Sequence, residues 1–258
     1  MYNIILELIG RKNVLKRLVI QTLVLKYRRT TVGYFWSVLN PLLMIGILSL
    51  VFSRLFGKEV GEFALFVFAG MIPWNFFNSV VAQSATSLIY NEGLIKKIYL
   101  PKTIFPVSTV LALAIDNFLA FCVFIGLGFI FGMSISWHFL FVIPAFLILL
   151  IFCLGISLLV SISTVFFRDL QHIIVLGMQG LFFLTPVIYP ITAIEGWVGN
   201  LLLLNPLVPI ITLFRAAIVG QTIPETDMVV YSIMVAISML ILGLLAYKKN
   251  ENNIVFRL

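Results

Sequence analysis

Asp116 is the one ionisable side chain deep inside a long apolar run of this sequence. At the centre of a bilayer an Asp costs roughly 2.5–3.5 kcal/mol, whereas each Leu, Ile, Val or Phe around it returns about 0.3–0.6, so the run that carries it still inserts. Intramembrane acids face a bundle interior and mark proton or substrate sites. The competing reading is a structural hydrogen bond beside Asn117, and no basic residue in any apolar span offers the partner of a proton-coupled carrier. His138 and His172 have no metal-ligand spacing and read as interfacial or helix-end residues. Cys122 and Cys153 fall in apolar runs and read as small packing residues, with no disulfide framework. The sequence holds no GxxxxGK[ST] loop, no G-x-S-x-G elbow and no paired acidic motif facing a loop. It therefore offers no catalytic residue, no metal site and no means of hydrolysing nucleotide by a P-loop mechanism on its own.

Aromatic residues are the more informative population, 14% of the chain with 24 phenylalanines. Phe35, Trp36, Trp74, Phe76, Phe77, Tyr99, Trp137, Tyr189, Trp197 and Tyr247 fall near expected membrane interfaces, where belts of amphipathic rings anchor spans. Some suit a different task, because the apolar face of a sugar ring stacks on an aromatic face as it passes. Phe182, Phe183 and Tyr189 are the strongest candidates for such a path, and Phe35, Trp36 and Trp74 complete the substrate-channel set.

The elements that must position these residues are membrane helices. The 258 residues are 62% hydrophobic and 10% charged, with a mean hydropathy of +1.15, and apolar runs of about 20 residues are the length of a bilayer crossing. In lipid every backbone polar group must pair internally, and the alternation of a transmembrane barrel is absent from the sequence. The expected architecture is all-α, a polytopic membrane protein with six spans. These run roughly 36–55, 63–84, 104–131, 137–167, 170–189 and 228–247. Residues 1–35 form a cytoplasmic N-terminal segment and 36–258 the six-span domain. Within the first segment Leu15, Leu18, Thr22 and Leu25 share one side of a helix while Arg17, Gln21 and Arg28 form a polar seam, which predicts a helix in the cytoplasmic interface. Lys26 and Arg29 blur that pattern by falling near the apolar side. No cleaved leader is expected.

Charge orients the scheme. With a cytoplasmic N-terminus, Arg11, Lys12, Lys16, Arg17, Lys26, Arg28 and Arg29 lie inside, as do Lys96, Lys97, Lys102, Arg168, Lys248, Lys249 and Arg257. Only Arg54, Lys58 and Arg215 fall outside, together with Glu59, Glu62, Glu195, Glu225 and Asp227. That is the positive-inside pattern with both termini cytoplasmic. The net charge of +7 is thereby explained by lipid headgroups rather than nucleic acid. Residues 197–220 are apolar and long enough for another span, but Asn205, Pro206 and Pro209 divide them. A seventh crossing would also put the basic C-terminus outside. The segment is therefore expected to be a re-entrant helical hairpin between spans five and six, and irregular backbone at membrane depth belongs beside a cavity or gate.

One run of residues carries a resemblance. Gly33-Tyr34-Phe35-Trp36-Ser37-Val38-Leu39-Asn40-Pro41-Leu42 resembles the start of the permease subunit of ABC transporters that export O-antigen, capsule or teichoic-acid polysaccharide. Ala69-Gly70-Met71-Ile72-Pro73-Trp74-Asn75-Phe76-Phe77, Phe166-Phe167-Arg168-Asp169, Thr185-Pro186-Val187-Ile188-Tyr189-Pro190 and Asn205-Pro206 follow in the same order, so that the likeness covers the chain from about residue 15. The resemblance implies a homodimer working with two copies of a separate ATPase, which binds the ATP and Mg, while this chain holds no cofactor. The cargo would be a polyprenyl-pyrophosphate-linked glycan moved outward across the bacterial inner membrane, through a channel lined by spans one and five. Residues 88–102, with Glu92, Lys96, Lys97 and Tyr99, would dock into the ATPase, and Arg168 and Asp169 would make a second contact. Asn205, Pro206 and Pro209 would shape a gate. A drug or lipid exporter of the same architecture, and a polytopic acyl- or glycosyltransferase, are the alternative readings.

Overall fold

The computed structural model describes residues 7–8, 10–28, 33–130, 136–194, 196–220 and 222–258. Glu195 and part of the N-terminal segment, including Arg29, lie outside the described residues. Among the described residues no strand is present, residues 7, 8 and 10 are helical, and ten further α-helices have both their bounds there. They are α1 (Lys12–Tyr27), α2 (Trp36–Leu55), α3 (Val60–Tyr90), α4 (Glu92–Lys97), α5 (Ile104–Ile130), α6 (Val142–Phe166), α7 (Leu170–Phe183), α8 (Trp197–Leu203), α9 (Leu207–Arg215) and α10 (Thr226–Arg257). Short 3-10 turns precede α2 and α6, and a π-turn, Ala216–Gly220, follows α9.

By length and composition four helical stretches can cross a bilayer, and a fifth is added if α8 and the stretch from α9 through the π-turn count as one span broken at 86°. The helix α7 is shorter. At 1.5 Å per residue its 14 residues reach only about 21 Å against a ~30 Å hydrocarbon core. The fifth apolar run was expected to stay helical to Tyr189, but α7 stops at Phe183 and residues 184–190 form turns. Pro186 favours the stop, since it has no N–H to continue the helical ladder and disfavours the α region for the residue before it.

Packing sorts the helix ends. One apolar cluster joins Leu18 of α1, Leu88 near the end of α3, Ile104 and Phe105 at the start of α5, Ile162 of α6, and Tyr247 and Ile254 of α10. A larger one joins the first half of α3, α9 and the start of α6. The helices α3, α5 and α6 therefore alternate in direction, α10 runs parallel to α6, and α8 and α9 lie at the end of the bundle remote from α1.

Helix α6 is the hub. Gly155 lies so close to α10 that a Cβ there would stand 2.4 Å from the Met239 carbonyl carbon, and a Cβ on Gly243 would stand 2.6 Å from Gly155 O. Small residues that let backbones approach are what membrane helices use in place of the hydrophobic effect. Polar cross-links add to it: Ser157 donates to Ser84 Oγ at 2.7 Å on α3, and the hydroxyls of Ser161 and Tyr247 pair at 3.0 Å. Trp74, Phe76, Phe77 and Tyr247, expected in interfacial belts, are instead buried in these clusters. Each sits on the inward face of a helix longer than the bilayer crossing, so its position along the chain misplaces it.

Candidate functional site: a groove between four helices

A groove of about 990 Å³, open along one side, runs between α2, α3, α5 and α7. Each helix contributes one face. Trp36 and Asn40 are four apart on α2; Asn75, Asn78, Ser79 and Ala82 follow the three-four spacing of one side of α3; Met178, Gln179, Phe182 and Phe183 face it from α7. From α5 come Asp116, Asn117 and Ala120.

The aromatic side of the lining is continuous. Trp74 lies 5.4 Å from the Phe182 ring, which meets Phe183 edge-on at the same distance. Trp74 is buried, Phe182 partly buried, and Phe183 and Trp36 present open faces. Of the expected channel residues, Trp36, Trp74, Phe182 and Phe183 thus come together, whereas Phe35 and Tyr189 are outside the lining. Tyr189 instead donates its hydroxyl to Phe183 O at 2.8 Å, tying the turn after α7 back to the helix end.

Asp116 sits in this groove with a basic partner that no span supplied. Lys26 of α1 reaches it at 2.5 Å, across 90 residues of sequence. Lys26 was the residue that blurred the apolar side of α1, and its place there is now explained, because α1 packs against α5 along that side. Leu18 and Val19 are buried, Thr22 is partly buried, and Arg17, Gln21 and Arg28 stay exposed as the seam requires, although Leu25 is exposed too.

The amides are what sequence reasoning missed. Asn40, Asn75, Asn78 and Gln179 line the groove, and Asn117 joins them with its Nδ2 buried and without a hydrogen-bond partner. Each lies in an apolar run and reads singly as an incidental polar residue. The one available signal was that every helix lining the groove carries one on the face that also carries its aromatic or small residues.

The divided segment packs beside the end of α7. Asn205 donates from Nδ2 to Thr185 Oγ1 at 2.8 Å and accepts at Oδ1 from Leu207 N at 3.0 Å, so it caps α9 while gripping the turn. Pro206 precedes the helix and Pro209 falls within its first turn, where the missing N–H is one that the helix leaves unpaired anyway. Arg215, counted as a loop charge from sequence, is instead folded inward. It donates to Val187 O at 2.7 Å and lies 3.9 Å over the Phe66 ring. Gly70 makes this possible, since a Cβ there would stand 2.7 Å from Val187 O. Three of the quoted motifs therefore converge on one clamp.

At the opposite end, α4 carries Glu92 and Lys96 one turn apart and joined at 2.5 Å. The hydrogen bond from Lys96, then its charge, hold the Glu92 carboxyl below its ordinary value, with a smaller pull from Arg168. That pull links the two stretches expected to meet a partner. Lys97, Tyr99, Arg168 and Asp169 are all exposed. Among the described residues no group of three or more His, Cys, Asp or Glu could hold a metal.

The family profile of the ABC-2 type transporter matches residues 13–219. The chain is 32% identical over 191 residues, 74% of each protein, to an O-antigen export system permease protein RfbA of Klebsiella pneumoniae. It is 29% identical over 229 residues, 88% of each protein, to the protein of that name from Myxococcus xanthus. To the polysialic acid transport protein KpsM of Escherichia coli it is 27% identical over 235 residues, 88% of this chain and 89% of the relative. The long apolar helices, the groove between them and this match over most of the length agree: the chain is a multi-pass membrane transport subunit and belongs to the ABC-2 type transporter family.

Proposed function

We propose that this chain is the permease of an exporter that moves a lipid-linked polysaccharide outward across the bacterial inner membrane, driven by a separate ATP-binding-cassette subunit that binds the ATP and Mg. The observation that carries this reading is the groove itself. A surface that passes a long sugar chain must hold each ring without fixing it, and stacked aromatic faces with interspersed amides do that. The O-antigen export proteins among the relatives support the same class of cargo.

The rest of the arrangement follows as part of the proposal. Spans one and five are α2 and α7, completing six, and α1 lies at the cytoplasmic interface. The α8–α9 hairpin is re-entrant from the outer face, gripped by Asn205 and Arg215. Two copies face each other across their open grooves, which accounts for the exposed apolar residues of α2 and α7, such as Ile47, Leu50, Ile173 and Leu176. The ATPase docks on α4 and on Arg168 and Asp169.

The test is a Phe182→Ala/Phe183→Ala variant expressed with its ATPase in a strain lacking its own copy. Surface glycan should fall several-fold and lipid-linked glycan accumulate inside, with permease abundance near normal. Normal surface glycan from an abundant variant would exclude these rings from the path, and unchanged glycan export on deleting the whole gene would exclude the function.

A further inference from the structure

The polar lining of the groove identifies the kind of chain it takes. Asn40, Asn75, Asn78, Asn117 and Gln179 are neutral amides, each able to donate and accept at once. Among the described lining residues the charged groups are Lys26 and Asp116, which pair at 2.5 Å. We propose that the groove is selective for an uncharged, hydroxyl-rich glycan, and that these amides are its specificity-determining residues. This rests on the export reading above and narrows its substrate.

A sugar hydroxyl is both donor and acceptor, and a side-chain amide matches either role by turning. A carboxylate is acceptor only, and among the described lining residues the one cation it would meet, Lys26, already holds Asp116, so its lost hydration is poorly offset. Discrimination therefore comes from the cost of the wrong cargo as much as from contacts to the right one. Asn117 lines the groove, and its Nδ2 is a donor with no hydrogen-bond partner, closed off from the groove in this conformation. An unpaired buried donor lowers stability, and a turn of the side chain would present it to a hydroxyl of the cargo.

The experiment reads binding and export separately. Four tryptophans are present in the chain, two of them in the groove, so replacing Trp137 and Trp197 with Phe leaves Trp36 and Trp74 as reporters. The purified complex with its ATPase is titrated with a neutral hexose hexasaccharide and with a hexasaccharide bearing one carboxylate per residue. The neutral probe should quench saturably and the acidic one bind at least about tenfold more weakly. Gln179→Leu, on an exposed position of α7, and Asn117→Leu should each weaken neutral binding by about twofold to tenfold. Asn117→Leu should at the same time raise the thermal midpoint, which a merely structural amide would not do on removal. Equal or tighter binding of the acidic probe, or no binding of the neutral one, overturns the selectivity. The cellular deletion assay decides the export reading on its own, since loss of surface glycan on deletion stands whichever probe binds.

Discussion

At the residue scale the Lys26–Asp116 pair shows how a single contact changes the meaning of two positions. A lone intramembrane carboxylate invites proton chemistry; a carboxylate held by a lysine from another helix is an anchor. Its side chain is mostly buried and that of Lys26 about one-third exposed, at 12% and 37%. Removing Lys26 therefore costs between the ~1 kcal/mol of exposed pairs and the ~3–5 of fully buried ones. Lys26→Met should lower the thermal midpoint in detergent, and Lys26→Met/Asp116→Leu should recover most of the loss, because the double change removes both members of the pair. A single variant as stable as the parent would remove the anchoring role. The amides of the groove and the inward turn of Arg215 were not legible beforehand for a shared reason. Each depends on which neighbour a face meets, and one polar residue in an apolar run carries no such information. The aromatic residues of α7 were legible because they cluster beside Pro186 and Pro190.

At the element scale, the long apolar helices were legible from run length, and their ends were not. Residues 184–190 continue the apolar run while the backbone departs from helix, so counting hydrophobicity overruns the stop that Pro186 signals. The crossing of α6 and α10 left a fainter trace, since a glycine in an apolar helix has several explanations. In the fold it has one. Gly155→Ala would press a methyl against the Met239 and Leu240 backbones, which cannot move aside as a flexible side chain can, and should cost about 1–3 kcal/mol. Gly126→Ala, with open space around it on α5, should be neutral or slightly stabilising. Thermal unfolding of the two variants side by side separates crowding from helix propensity. Equal midpoints would mean that the two backbones part readily and that α6 is not the hub.

At the scale of the whole molecule, α4 and the end of α10 lie at one end of the bundle and the start of α10 at the other. A reporter inserted near Glu92 and one fused after Leu258 should both report cytoplasm, while one near Glu225 should report the outside. An external C-terminus would turn the α8–α9 segment into a crossing and reverse the assignment of the hairpin. The alternation of α3, α5 and α6 was legible from the order of the apolar runs and the short loops between them. That α1 is bound into the bundle was not, since the helix looks complete on a membrane surface. Its anchorage has a consequence for how the chain is made. The ribosome releases Lys26 90 residues ahead of Asp116, which at roughly 5–20 residues per second is a delay of about 5–20 s. Lys26 is therefore made before α5, and the acid of α5 meets a cation that is already there, so an early helix offsets the cost of carrying a carboxylate on a later one.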